Sequence, residues 1–245
     1  MRNLGLLILY HTNFSGNFNF LSNNLRYLSW HGYPFTGATN LQYLDSTSLF
    51  TIHESIGALA KLKFLSFRNC INLVEIPNSV KSITSLVTLD FYGCLKLTTL
   101  PLQWTYSSHM RSLIFLDLNF CNLHEVPDGI AKIKTLERLN LQGNKFDSLP
   151  NGFYNLESLS YINLSHCHEL QTIGLLPSKS AYSGGRYFKI AAGSRDHRSG
   201  LYIFDCPKIM KKPENKSIEI DIHGYGDYLR CVRCLPSPNS LAFIY

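Results

Sequence analysis

The chain has 245 residues, of which 45% are hydrophobic and 16% are charged, a balance typical of a globular protein rather than a disordered one. No apolar run approaches the roughly 20 residues that a membrane-spanning helix requires, so we expect no membrane span. The net charge is +6, but residues 1–177 carry 12 basic and 11 acidic side chains. This near balance offers no general electrostatic attraction for nucleic acid.

The first 60 residues contain incomplete copies of a spaced leucine pattern. One copy begins at Leu4, a second at Leu25 and a third at Leu41. The second and third starts lie only 16 residues apart, which is too few for a strand and a return segment. The sequence therefore predicts an irregular segment between residues 31 and 53.

The pattern L-x-x-L-x-L-x-x-(N/C)-x-L then recurs in five clear copies. They begin at Leu62, Leu86, Leu113, Leu136 and Leu159, so that successive starts differ by 24, 27, 23 and 23 residues. These spacings fall within the roughly 20 to 29 residues of a leucine-rich repeat. The five copies predict an α/β leucine-rich-repeat solenoid, or horseshoe, with about seven or eight parallel strands on its concave face.

Each copy also predicts its own local structure. Alternating side chains, as at Leu116 and Leu118, indicate a short strand with leucines turned to the interior. An apolar residue followed by proline, as at Val126-Pro127, ends the extended segment because proline cannot donate to a ladder. We expect the convex side to be irregular, 3₁₀ or short helical, at Asn78-Ser79-Val80 and Asp128-Gly129-Ile130 for example.

The ninth position of the repeat carries Cys70, Cys94, Cys121, Asn144 or Cys167. An asparagine there can satisfy buried backbone groups, so replacing Asn144 by Ala should cost about 1 to 3 kcal/mol. The chain has seven cysteines, an odd number, and strands stacked about 4.8 Å apart would force neighbouring thiols into strained bridges under oxidising conditions. This pattern favours a reducing compartment.

The sheet face of a horseshoe is the usual surface for a protein partner, and alternation indicates which side chains reach it. At the third and seventh positions we expect an aromatic-rich row beside a polar row. Five or six such aromatic side chains could supply about 1,000 Å² of contact. The predicted partner-binding residues are Tyr27, Tyr43, Phe64, Arg68, Tyr92, Phe115, Asn119, Arg138 and Tyr161.

The fifth position carries Asp45, Asp90 and Asp117, continued by Asn140 and Asn163. We expect an exposed, solvated row, which lacks the pocket and the raised pKa that a catalytic carboxyl pair needs. The histidines have no predictable nucleophilic partner. Cys231-x-x-Cys234 lacks a second ligand pair, with Cys206 and His223 only a weak completion. We therefore predict no catalytic residue, no metal site and no cofactor.

The periodicity stops after Pro177. The sequence predicts a repeat domain over residues 1–177, a linker or loop rich in Ser, Gly and Arg over 178–200, and a partly β C-terminal segment over 201–245. Alternation at Ser217 to Ile222 indicates a strand there. The basic residues Lys208, Lys211, Lys212 and Lys216 are interpreted as a solvated cluster.

The repeats resemble those of plant intracellular disease-resistance receptors with a Toll/interleukin-receptor-type domain, a nucleotide-binding domain and leucine-rich repeats. Asn24 to Phe35 (NLRYLSWHGYPF) is similar to an early segment of that repeat domain, and Leu201 to Lys208 (LYIFDCPK) to the segment that closes it. The resemblance covers residues 1 to about 210. The family normally has a further repeat after the Tyr-Pro-Phe segment, whereas here Asn40-Leu41 follows almost directly.

The resemblance implies a non-enzymatic recognition module in the cytoplasm or nucleus, which senses a pathogen effector or a guarded host protein and contributes to autoinhibition. Its own nucleotide-binding domain would be a second partner in a full receptor, but no G-x-x-x-x-G-K-(S/T) phosphate loop occurs in this sequence. The module would then be a fragment without the signalling domains. Two alternatives remain open: a stand-alone or extracellular binding or inhibitor protein, and the substrate-docking part of an enzyme.

Overall fold

The computed structural model describes residues 4–10, 17–31, 49–101, 110–173, 200–202, 206–210, 218–220 and 229–231. Eight strands form one parallel sheet in chain order. Each strand pairs with the next in sequence, as successive repeats of a leucine-rich-repeat solenoid require. The strands are β1 Leu6–Tyr10, β2 Tyr27–His31, β3 Phe64–Ser66, β4 Thr88–Asp90, β5 Phe115–Asp117, β6 Arg138–Asn140, β7 Tyr161–Asn163 and β8 Gly200–Tyr202.

The pairing keeps equivalent repeat positions side by side. Tyr27 pairs with Phe64, Phe64 with Thr88, and Thr88 with Phe115, all at the third position of their repeats. Strand β2 therefore pairs directly with β3, across the interval in which we predicted irregularity. The predicted third copy, with Tyr43, falls outside the described residues.

The return segments on the convex side contain 3₁₀ helices, as the sequence predicts. Between them and the sheet lies one continuous apolar core, in which the inward Leu or Ile residue of each strand from β3 to β7 is fully buried. Proline precedes three of the helices and pre-sets the extended backbone at their entry. The 3₁₀ helices span Phe18–Phe20, Glu54–Ala58, Asn78–Ser82, Asp128–Lys132 and Asn151–Asn155.

The ninth-position side chains form a ladder of hydrogen bonds through the core. Each one donates to the backbone carbonyl at the sixth position of the preceding repeat, an acceptor that would otherwise be buried without this partner. The bonds run from Cys70 to Trp30 (3.9 Å), Cys94 to Phe67 (3.1 Å), Cys121 to Phe91 (3.1 Å), Asn144 to Leu118 (2.8 Å), Cys167 to Leu141 (3.2 Å) and Cys206 to Leu164 (3.1 Å). The ladder thus ties each repeat to its neighbour.

The eighth position takes a left-handed backbone in five successive repeats. The φ angles are 56° at Asn69, 74° at Gly93, 52° at Phe120, 69° at Gly143 and 58° at His166. This conformation is unstrained for Gly and accessible to Asn, but it is strained for a bulky residue such as Phe. At Gly143 a Cβ atom would also lie 2.3 Å from Cδ1 of Phe120. The ring of Phe120 thus occupies space that only a glycine in the next repeat leaves open.

We expect Gly143→Ala to lower the free energy of unfolding by about 1 to 2 kcal/mol, because an L side chain is strained at this φ and its Cβ displaces the Phe120 ring. Urea unfolding of the two single variants and of the Gly143→Ala/Phe120→Ala double variant measures this effect. The double variant should lose less than the sum of the single variants. Strict additivity would show that the two residues are not in steric conflict.

The repeat register continues beyond the fifth clear copy. Strand β8 pairs with β7 through Tyr161 and Gly200, and the buried Cys206 occupies the ladder position of that repeat. The parallel sheet therefore reaches into the region that the sequence divides into a linker and a C-terminal segment. A short helix, α1 (Pro207–Met210), follows, and β9 (Ile218–Ile220) pairs antiparallel with β10 (Leu229–Cys231). Strand β9 lies within the stretch where alternation predicts a strand.

Candidate concave recognition face

The third-position side chains form a continuous row across the sheet. The rings of Tyr27 and Phe64 stack at 4.1 Å with an angle of 2° between their planes. Further along, the guanidinium carbon of Arg138 lies 4.6 Å from the centre of the Tyr161 ring and 5.9 Å from that of Phe115. Contacts between a guanidinium group and aromatic faces are favourable and hold the charged group over the rings.

The seventh-position side chains form a second row, with a cluster at its centre. Arg68 lies with its guanidinium carbon 4.5 Å from the centre of the Tyr92 ring and donates from Nη1 to Asp90 Oδ2 at 3.1 Å. The Tyr92 ring meets that of Phe120 edge to face, with 6.0 Å between centroids. These contacts fix Arg68 while leaving its side chain 40% exposed. Arginine and tyrosine held in this way are typical of sites that dominate protein binding.

The fifth-position row lies beneath these two rows. Our prediction that it is solvated is wrong for its two described acids, because Asp90 is 3% and Asp117 5% exposed. Asp90 accepts hydrogen bonds from Arg68, from Ser66 Oγ at 3.3 Å and from the Tyr92 amide at 3.0 Å. Larger side chains of neighbouring rows exclude water from this row, an effect that alternation along a single strand does not reveal.

The pKa of Asp117 is raised to about 6, mainly by burial. The hydrogen bond from the Asn119 amide lowers this pKa, the adjacent carboxylate of Asp90 raises it, and the more distant charge of Arg68 lowers it. Desolvation outweighs both stabilising interactions because the charged form loses water that a single backbone donor does not replace.

A pH effect on stability follows. A carboxyl group whose pKa is higher in the folded than in the unfolded state stabilises the folded state when it is protonated. This stabilisation is lost as the pH rises from about 4 through 6. Asp117→Asn resembles the protonated form, so at pH 7.5 the variant should exceed the wild type in free energy of unfolding by about 3 kcal/mol. Urea unfolding at pH 4.5 and 7.5 measures the difference, which should shrink at the lower pH. An equal difference at both values would contradict the buried, uncompensated charge.

The structure places the predicted partner-binding residues on one face, but with unequal access. Tyr27, Phe64, Arg68, Tyr92, Phe115 and Arg138 are partly exposed, whereas Asn119 is 5% and Tyr161 4% exposed. Asn119 uses its side chain internally, because its Oδ1 accepts from the Gln142 amide at 3.0 Å. Tyr43 lies outside the described residues. The accessible part of the face is therefore centred on Phe64, Tyr92 and Phe115.

Phe120 also belongs to this face, although the third and seventh positions of the repeats do not predict it. Its ring extends the cluster of Arg68 and Tyr92, at an eighth position where the neighbouring repeats have Gly93 and Gly143. A bulky residue at a position that needs a left-handed backbone is itself a signal, since strain of this kind concentrates at functional sites.

The thiol and ionisable side chains outside these rows take part in contacts that stabilise the fold. Burial raises the pKa of Cys167 to about 11 and shifts those of Cys94 and Cys121 upward as well, so these thiols remain protonated donors. Lys208 pairs with Glu169, and His166 contacts His168 edge to face. Within the described ranges, no group of three or more His, Cys, Asp or Glu side chains could hold a metal ion. No helix in that part of the chain is long and apolar enough to cross a membrane.

Comparison with known proteins identifies the repeats. The family profile described as leucine rich repeat matches residues 111–168. A disease resistance-like protein of Arabidopsis thaliana, DSC1, is 34% identical over 67 residues, which cover 27% of this chain and 6% of that protein. Fibromodulin of Sus scrofa is 41% identical over 58 residues, covering 23% and 38% respectively. The chain thus matches only a small part of each relative.

The same fold occurs in the leucine-rich repeat domain of the type III effector XopL, with a TM-score of 0.59 and 19% identity over 85% of this chain and 63% of that one. This likeness concerns the fold alone. The described solenoid has the leucine-rich-repeat fold, a scaffold that generally binds protein ligands and has no catalytic activity.

Proposed function

We propose that this chain is the non-enzymatic recognition module of a plant intracellular immune receptor of the Toll/interleukin-receptor-type class. The observation that carries the proposal is the combination of these repeats with 34% identity to a plant disease resistance-like protein. The module senses a pathogen effector, or a host protein that an effector modifies, through the concave face. Signalling would come from domains of the full receptor.

Buried thiols support a cytoplasmic or nuclear location. Cys94, Cys121 and Cys167 are reduced and donate to core carbonyl groups, an arrangement suited to a reducing compartment. Oxidation would remove these donors from the ladder. The proposal therefore places the protein on the cytosolic side of the cell, where such thiols persist.

Recognition can be coupled to autoinhibition by a difference in affinity. The module keeps the receptor in its resting state by contacting the receptor's nucleotide-binding domain. A ligand releases the receptor only if the ligand binds the released state more tightly than the resting state. The concave face suits this role because it is extended and because its Arg68, Tyr92 and Phe120 cluster is already fixed before binding.

The second candidate function is an extracellular binding protein, which the match to fibromodulin favours. Glycan occupancy at Asn163, in the motif Asn163-Leu-Ser165, distinguishes the two. Asn163 lies on the concave face, where Nδ2 donates to Gln142 Oε1 at 3.1 Å and Oδ1 accepts from the Ser165 amide at 3.0 Å. A glycan there would replace one of the two Nδ2 hydrogens and would cover the β7 end of the face.

The first test is long-read sequencing of the native transcript. The proposal expects codons for a nucleotide-binding domain in frame with this sequence. A transcript that instead encodes a secretory signal in frame, together with a glycan at Asn163 of the isolated protein, would reject the intracellular receptor in favour of the extracellular alternative.

A further inference from the structure

The centre of the buried fifth-position row holds a carboxyl group with few hydrogen bonds. Strand register places Asp117 directly between Asp90 on β4 and Asn140 on β6, at the spacing of about 4.8 Å between parallel strands. Its Oδ1 atom accepts from the Asn119 amide at 3.0 Å. A buried carboxyl with one such donor is poorly stabilised in its ionised form.

The charges that face Asp117 do not compensate it. On the β4 side, Asp90 is also acidic and already accepts from Arg68, the guanidinium nearest to the pair. On the β6 side, Arg138 stands at the third position of its repeat, over the rings of Phe115 and Tyr161. The thiol of Cys121, in the turn after β5, is buried and neutral. Among the residues that the structure describes, these two carboxyl groups thus share one close guanidinium, that of Arg68.

Asn140 departs from the pattern of its row. Asp90, Asp117 and Asn163 each accept from the backbone amide two residues later. The equivalent amide of Gln142 instead donates to Asn119, and Asn140 Oδ1 is buried without a hydrogen-bond partner among the described residues. A buried acceptor without a donor is costly, and a neighbouring protonated carboxyl is the group that can supply one.

We propose that Asp117 and Asn140 form a proton-sensitive pair on the concave face. When protonated, the carboxyl group of Asp117 donates a hydrogen bond to Asn140 Oδ1. When that proton leaves to solvent, the side-chain amide of Asn140 rotates, and Nδ2 donates to the carboxylate.

At low pH the protonated carboxyl group gives Asn140 Oδ1 a donor. At high pH Asn140 Nδ2 gives the Asp117 carboxylate a donor. The upward shift in the pKa of Asp117, caused mainly by burial, agrees with this geometry. The concave face would then gain one negative charge between about pH 5 and 7. This inference goes beyond the proposed function, because it requires no ligand and holds for any role of the face.

The test is an NMR titration of the full chain from pH 4 to 8, which follows the Asp117 carboxyl carbon and the Asn140 side-chain amide. We expect both signals to move with one shared midpoint near pH 6. A midpoint for Asp117 near 4, a midpoint near 6 that belongs to Asp90 instead, or an Asn140 amide that stays constant would each overturn the proposal.

Two variants complete the test. Asp117→Asn should abolish the movement of the Asn140 amide, whereas Asp128→Asn, an exposed acid on the convex side, should leave it intact. Circular dichroism verifies that each variant is folded. The wild-type titration alone decides the proposal if Asp117→Asn does not fold, and neither measurement depends on finding a ligand.

Discussion

Asn144→Ala should lower the free energy of unfolding by about 4 kcal/mol, more than the range of about 1 to 3 kcal/mol expected from the sequence, because the asparagine serves three buried backbone groups. The Asn144 side chain is 2% exposed. Its Oδ1 accepts from the Leu123 amide at 2.9 Å, and its Nδ2 donates to the carbonyls of Leu118 and Leu141, both at 2.8 Å. Alanine leaves these three buried backbone groups without this partner, and a water molecule in the space of the amide group replaces its bonds only in part. Urea unfolding at neutral pH measures the loss.

The cysteine positions of the same ladder supply the control. Cys121→Ala removes a thiol that donates to the Phe91 carbonyl at 3.1 Å, and a thiol is a weak donor. It should cost about 1 to 2 kcal/mol, less than half of the loss at Asn144. Asn144→Cys should fall between the two, since it restores one donor but leaves the Leu123 amide unpaired. Equal losses for Asn144→Ala and Cys121→Ala would refute the idea that the asparagine joins the repeats through several bonds.

The solenoid was predictable because its signal is repeated. Each leucine position is weakly informative alone, but five copies in phase specify the strand, the turn and the direction of every side chain. The predicted repeats end before β8, because 39 residues separate Leu159 from the equivalent residue 198, which is Arg where the clear copies have leucine. Such a long interval removes the regular spacing of leucines from which the strands are predicted.

The sequence predicts the direction of the side chains at the candidate site but not their burial. Alternation correctly turns Phe64, Tyr92 and Phe115 toward one face. It does not reveal that Arg68 and Tyr92 shield Asp90, because that contact joins side chains from neighbouring strands. Nor does it reveal the burial of Asn119, which bonds to the next repeat. Side-chain direction is a local property of the strand, whereas burial depends on residues 20 or more positions away.

Replacing Phe64, Tyr92 and Phe115 together by Ala should weaken binding of the protein ligand by at least about 100-fold. Aromatic side chains at an interface each contribute about 1 to 2 kcal/mol beyond what a methyl group supplies, and 2.7 kcal/mol corresponds to 100-fold. The ligand is first captured by a photo-crosslinking phenylalanine analogue placed at position 115 of the full-length protein in cells of the source organism. Isothermal titration calorimetry with the captured protein then gives the dissociation constants of the wild type and the triple variant.

A matched variant separates recognition from stability. Phe20, Phe50 and Tyr154 are exposed by 87%, 51% and 40% and lie outside the strands of the concave face. Replacing these three by Ala removes the same ring types, two Phe and one Tyr, so a ligand of the concave face should bind this control within about threefold of the wild type. The concave variant must retain the wild-type circular dichroism spectrum for its loss to count. If the two triple variants lose equal affinity, the partner contacts the solenoid elsewhere, and the alignment of aromatic side chains along the sheet serves only to pack neighbouring repeats against one another.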